Sequence, residues 1–425
     1  MSAFCRPLDE GVARMVKGRI RLAIFTSQAP WAKEESFVLT EIAELQRQVE
    51  AILVIPVRPD SALFHGDLAR RVGQHAIRLP VVSPVILICA TAAFFRSPGR
   101  VARALVEVIK GSSRLSVLMK NLVVFPKAVY VARLVRRFGA HHIHAHWAAV
   151  PATMALVVSR LTGVPWSFTA HRWDIAENNL LGTKIRTAVF ARVISLHGRD
   201  EVLKILGEST CSNLLVIHVG TTLSNQDDAP VAKNKREVHI ACIGNLLEVK
   251  GHRYLIEACR LLRDRGCRFV CHIIGGGPLR RNLEALVHHS GLQECVQLRG
   301  RLPHDEVIRM LQRREIDVVV HPSIETSSGE HEGIPVALME ALAHQVPAIS
   351  TESGGIPELL GGGAGVLVKP ADPKALADVI QRVMEDSDYR ATLIEAGVAR
   401  VSADFNIRTV TERLVALMEA PGGIG

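Results

Sequence analysis

Aromatic residues make up only 4% of this 425-residue chain, too few to build the stacking platforms on which single-stranded nucleic acid lies. No C-x-x-C pair occurs among its eight cysteines, at positions 5, 89, 211, 242, 259, 267, 271 and 295. Most of them occupy apolar, strand-like or helix-like contexts, which predicts reduced core thiols in a cytosolic protein. The opening MSAFCRPLDEGVARMVKGR lacks an apolar signal core, which argues against secretion. The charge-free stretch Leu79 to Phe95 falls short of the ~20 residues that cross a bilayer, and Pro80 and Pro84 interrupt it. It predicts a buried or interfacial helix. Acidic residues are nearly missing from Arg96 to Arg137, where Glu107 stands against ten basic residues (96, 100, 103, 110, 114, 120, 127, 133, 136 and 137). Ten minus one equals the +9 of the whole chain. Such clustering, interleaved with Leu, Val, Phe and Met, predicts an anionic membrane surface as partner.

What is present is the material of two or three globular domains, with 48% hydrophobic and 22% charged residues. Strand-like runs recur at Arg21 to Thr26, Ala51 to Val57, Val164 to Ala170, Arg192 to Leu196 and Leu214 to His218. They are separated by helix-like stretches such as Phe37 to Gln48. That alternation predicts a parallel βαβ sheet. The polar SNQDDAPVAKNKR, 224–236, reads as a linker. A second set of runs follows at Val238 to Ile243, Phe269 to Ile274, Val296 to Arg299, Asp317 to His321 and Val346 to Ser350. The expected class is therefore α/β, with two doubly wound domains.

Four strings draw attention to chemistry. His142, His144 and His146 alternate along one strand face, a geometry open to metal, but no Asp, Glu or Cys accompanies them in the string. Asp386-Ser-Asp388 lies between two helices and reads as a solvated helix cap, so no metal is expected. Gly275-Gly276-Gly277-Pro278 ends a strand, and Arg280 occupies the position a third glycine would need for a dinucleotide fingerprint. The richest stretch is HEGIPVALMEALAHQVPAISTESGGIPELL, 331–360. Pro335 suits a first helical position, and the amides of Gly333 and Ile334 at a helix N-terminus make an anion site. Glu332 precedes that end, and Glu340 lies within an apolar helix where an unpaired carboxylate is costly.

This stretch resembles the E-x7-E signature of retaining GT-B glycosyltransferases of glycosyltransferase family 4, with Glu332 and Glu340 as its acids. Gly244-Asn-Leu-Leu-Glu-Val-Lys-Gly251 resembles that family's G-R-L-x-x-x-K-G, with Asn245 where arginine is usual. Thr169-Ala-His171 resembles a functional T-A-H position, and Pro30 to Phe37 is similar to the acceptor-facing opening of exopolysaccharide and colanic-acid-type members, with Glu35-Ser36 inverted. The resemblance implies two Rossmann-like domains facing a cleft: an acceptor domain 1–222, a linker 223–237 and a nucleotide-sugar domain 238–404, with a helix 405–419 packing back on the first. It implies Glu332, His171 and Lys250 as catalytic residues. Asn245, Gly276, Leu302, Gly333, Ile334 and Glu340 are implied as donor-binding residues. The implied reaction is sugar transfer from a UDP- or GDP-sugar to a lipid-linked glycan; no metal or cofactor is expected, and the basic cluster places the expected site of action on the inner face of the plasma membrane. A GT-B sugar-nucleotide epimerase and a non-catalytic nucleotide-sugar-binding protein remain open at this stage.

Overall fold

The computed structural model describes residues 20–31, 36–59, 66–223 and 237–420. Expectations placed on 32–35 and on the linker residues 224–236 therefore lie outside the described residues. The first sheet contains β1 (Arg21–Thr26), β2 (Ala51–Pro56), β3 (His142–His146), β4 (Trp166–Ala170), β5 (Ala191–Val193) and β6 (Leu214–Val216). Its spatial order is β2-β1-β3-β4-β5-β6. The second contains β7 (Val238–Ile243), β8 (Phe269–Ile274), β9 (Val296–Gly300), β10 (Val318–His321), β11 (Ala348–Thr351) and β12 (Val366–Val368). Its order is β12-β11-β10-β7-β8-β9.

Every strand pair is parallel. Parallel neighbours need crossovers, and the helices that supply them cover both faces, so apolar runs such as RLAIFT and VHIACI suit these positions. Strand order reverses between β1 and β3 and again between β7 and β10, and clefts at such switch points receive ligands beyond the strands' carboxyl ends. The architecture is α/β, two Rossmann-like doubly wound domains.

The chain crosses twice between the domains at one place. Thr221 donates its amide to the Phe405 carbonyl at 2.8 Å, and the Ile407 amide returns a bond to the Thr221 carbonyl at 3.0 Å. Gly220 permits this approach, since a Cβ there would lie 2.5 Å from the Ile407 Cα. The final helix, Ile407–Glu419, then buries Val410, Leu414, Val415 and Met418 in the first domain's core beside Leu22, Ile24 and Ile42.

The basic segment forms a helical lobe on the first domain. Helices Pro84–Arg96 and Pro98–Gly111 meet at 115°. The first of them starts at Pro84, because the Ser83 hydroxyl caps it by accepting the Ile86 amide. Only Ile86 of that helix is buried, whereas Ile88 and Phe95 are 68% and 78% exposed. Among the described residues, eleven of the fourteen exposed large apolar side chains lie between Val82 and Val123. The next helix, Leu115–Phe138, is long and apolar enough to cross a membrane, but half of its most apolar window is buried. It is a core helix at that depth. Lys127, counted above with the basic face, is fully buried and donates to the carbonyls of Pro56, Val57 and Leu79 at 2.8 Å each. It ties backbone together and cannot face a partner.

Candidate functional site

The second switch point is built from four loops. After β7, Gly244 leads through the turn Glu248–Lys250 to the helix His252–Asp264. After β8, the turn 275–277 packs on that loop, with the Leu246 amide donating to the Gly276 carbonyl at 3.1 Å. Gly275, at φ +153°, lies so near that a Cβ would meet the Gly244 carbonyl oxygen at 1.8 Å. On the other flank, the Glu332 to Ile334 loop enters the helix Val336–Ala343. Pro335 is the N-cap of this helix rather than its first residue, with φ −65° and ψ 122°. Proline's φ suits either position, but the extended ψ holds it outside the first turn, which begins at Val336. Gly354, at φ +53°, clasps the same loop: a Cβ there would meet the Glu332 carbonyl oxygen at 1.8 Å, and Gly355 donates its amide to that carbonyl.

Lys250 and Glu332, 82 residues apart, meet here with Nζ to Oε2 at 2.9 Å. Their side chains are 17% and 11% exposed, so the pair is sheltered yet reachable. Around the lysine stand His252 and His321, both buried. Burial first, and then the Lys250 charge, holds both imidazoles below their ordinary range, His252 at about 4. Both rings beside Lys250 are thus neutral. Among the described residues the amides of Gly333 and Ile334 have no acceptor. Together with Lys250 and the positive end of the helix they form a pocket for anionic oxygen.

Glu340 is buried within the same helix and meets His304 Nε2 at 2.7 Å. That hydrogen bond, ahead of the opposing desolvation, raises the His304 pKa above its ordinary value. Sequence reasoning missed His304, which is 36 residues from its partner and opens an unremarkable amphipathic helix. Leu302 lies just before it, half-buried against the core. Asn245 is exposed on the β7 loop. Arg301 precedes Leu302 in the same turn. Its Nε would lie 2.8 Å from a Cβ on Gly276, so a second cation borders the glycine turn.

On the first domain, β3 and β4 end at Trp147 and His171. His171 is buried, its ring tilted against Trp147 at 4.4 Å and Phe37 at 5.4 Å between centroids, and its Nε2 has no partner. Burial, then the charges of His146 and Arg192, holds its pKa well below the ordinary range, so the ring is neutral. The Asp174 carboxylate fixes its backbone, accepting from the His171 amide at 2.6 Å and from the Ala148 amide. Two of the three alternating histidines are held by hydroxyl groups of the neighbouring strand. His142 and His144 share the Ser167 hydroxyl at 2.8 Å, and His144 also reaches Thr169. His146 faces Glu41 at 3.3 Å, but both Glu41 oxygens accept from Arg192 at 2.8 Å. The carboxylate is thereby saturated by a guanidinium. Asp386 caps the helix Ser387–Asp404 through the Tyr389 amide at 2.9 Å.

The domains touch beside this centre. Glu358 of the second domain accepts from the amides of Leu196 and His197, at 2.8 and 3.2 Å, and meets His218 Nε2 at 3.2 Å. It thus caps the helix Leu196–Leu206 from across the cleft. The His218 bond and the two amides outweigh burial, which raises the pKa, and hold the carboxyl below its usual range.

Comparison with known proteins shows what the chain is similar to. Residues 224–400 match the family model for glycosyl transferases group 1. The amylovoran biosynthesis glycosyltransferase AmsK of Erwinia amylovora is 36% identical over 183 residues, covering 43% of this chain and 44% of that one. An alpha-D-kanosaminyltransferase of Streptomyces kanamyceticus is 27% identical over 320 residues, covering 68% of this chain and 80% of its own. The chain spans about half the length of the first curated relatives it matches. Among solved structures, Anabaena HepE in complex with UDP superposes with a TM-score of 0.67 at 16% identity, over 93% of this chain and 99% of that one. The C-terminal half of the chain therefore carries the group 1 glycosyl transferase pattern, on a chain whose two parallel-sheet domains have the GT-B fold.

Proposed function

We propose that this protein is a retaining hexosyltransferase that moves a sugar from a nucleotide-diphosphate sugar to a lipid-linked glycan in exopolysaccharide assembly. The observation that carries the reading is the Lys250–Glu332 pair at 2.9 Å beside the Gly333 and Ile334 amides. Cleaving the bond between the anomeric carbon and phosphate puts charge on the departing diphosphate, where Lys250 and the helix end stabilise it. Glu332 then holds sugar hydroxyls, Glu340 the ribose, and Gly276 and Leu302 border the nucleotide. Asn245 lines the diphosphate, with Arg301 as the nearby cation. The acceptor oxygen bonds to the same face of the anomeric carbon, and its proton passes to the leaving phosphate oxygen. Neutral His171, on the first domain, is assigned to the donor sugar or the approach of the acceptor. AmsK, named for amylovoran biosynthesis, and the UDP held by the HepE structure support the substrate classes.

The lobe of exposed apolar and basic side chains supports attachment to the inner, anionic face of the plasma membrane. Near such a leaflet each basic residue contributes about 1 kcal/mol. Purified protein is incubated with UDP- and GDP-sugars, with and without lipid extract. Release of nucleoside diphosphate that depends on lipid acceptor supports transfer. Conversion of the donor to an isomer without acceptor would mark an epimerase, and binding without turnover a non-catalytic protein.

A further inference from the structure

We propose that His197, Glu201 and His331 form a divalent transition-metal site that spans the two domains. His197 and Glu201 are four residues apart on the helix Leu196–Leu206, so they share one face. His331 approaches from the second domain, immediately before Glu332. One ligand atom from each lies within 4.8 Å of those of the other two. His331 Nε2 is 3.7 Å from Glu201 Oε1, and the two imidazole rings are 4.3 Å apart at their centroids. His331 Nδ1 is 3.3 Å from the Gly329 carbonyl. A proton donated there leaves the lone pair on Nε2, facing Glu201, which is how metal-binding imidazoles are usually oriented.

Two imidazole nitrogens and one carboxylate oxygen suit Zn2+ and its first-row neighbours rather than Mg2+ or Ca2+. Bonds of ~2.0–2.1 Å in a tetrahedron bring donors to roughly 3.4 Å from one another. The exposed His197 ring must therefore swing inward, while buried His331 already points at Glu201. The same helix is capped by Glu358, so an ion here adds a second tie between the domains, on the residue that precedes the Lys250 partner. The site asks nothing of sugar transfer and stands or falls separately from it.

The test is calorimetric titration of the untagged full-length chain with ZnCl2, paired with Co2+ absorption. One ion per chain is expected, with the intense visible bands of four-coordinate Co2+. His197→Gln and Glu201→Gln should each weaken binding by at least about tenfold, the lower end of what losing even an outer partner costs. His197 is exposed, so its variant keeps the test meaningful if His331→Gln fails to fold. Absence of saturable Zn2+ binding, or equal affinity in the His197 and Glu201 variants, would overturn the proposal.

Discussion

Arg192 meets Glu41 at 2.8 Å in the first domain, and Lys250 meets Glu332 at 2.9 Å in the second. The former pair is 0% and 3% exposed, the latter 17% and 11%. Arg192 also donates to the carbonyls of Ile217 and His218, at 2.8 and 2.6 Å. Every one of its nitrogens bonds to the protein, and the pair joins β5 to the first helix. Lys250 has a single carboxylate partner and reachable oxygen acceptors can displace it. Equal distances thus hide unequal roles: satisfaction and burial make one pair scaffold, and incomplete satisfaction leaves the other open to exchange.

The sharpest way to break this contrast is to cut both pairs. Arg192→Ala leaves a carboxylate buried without its counter-charge and should cost about 3–5 kcal/mol, read from denaturant midpoints. Lys250→Ala should move the midpoint less than Arg192→Ala, since this pair is the more exposed of the two, while lowering turnover by a factor on the order of 10²–10³, as should Glu332→Ala. Near-native turnover in both second-domain variants would remove the distinction.

The first domain does hold available charge, on the outer face of its helical lobe. Ile88, Phe95, Arg96 and Arg100 are all exposed there. Replacing both apolar side chains with glutamate should cost liposome binding by about 2 kcal/mol or more, from lost apolar burial and like-sign repulsion. Sedimentation with anionic vesicles should fall and decline further with salt. Equal recovery in the supernatant with anionic and neutral vesicles would contradict a docking face.

A smaller effect is expected from restoring arginine at the β7 loop. Asn245→Arg should tighten nucleoside diphosphate binding by roughly tenfold, since a guanidinium can take two phosphate oxygens at once. An unchanged affinity would indicate that Arg301, beside Gly276, already fills that role.

The smallest prediction concerns His304. Its folded pKa is raised above 6.5 by the Glu340 carboxylate. The stability it contributes is then fully present below 6.5 and is lost as pH rises through the raised value. In Glu340→Gln the NMR titration midpoint of His304 should fall. A midpoint that does not move would show that the bond is not the cause.

Continuous apolar runs made much of the fold legible. β1, β7 and β8 have the bounds their sequences suggest, because strands covered on both faces need little else. β12 escaped notice: three residues between Gly365 and Lys369 carry too little pattern to separate from a turn. Lys127 misled because its sequence neighbours are those of a basic amphipathic face, while three carbonyls from elsewhere take its charge inward. At the site, Lys250 and Glu332 could be named from local strings. His304 opposite Glu340, and Glu358 across the cleft on the Leu196 and His197 amides, could not. Those pairings join residues 36 to 162 positions apart, and nothing local encodes them.

The crossing at Thr221 and Phe405 to Ile407 has a mechanical consequence. Both connections between the domains pass through one short hydrogen-bonded staple, with Gly220 pressed against the Ile407 backbone. Two strands pinned side by side resist sliding but allow a swing about the pin, the hinge rather than the shear form of domain motion. The cleft should therefore open like a door on one jamb, with Glu358 and the Leu196 helix as its latch side. The aperture of the cleft would then be set by angle alone.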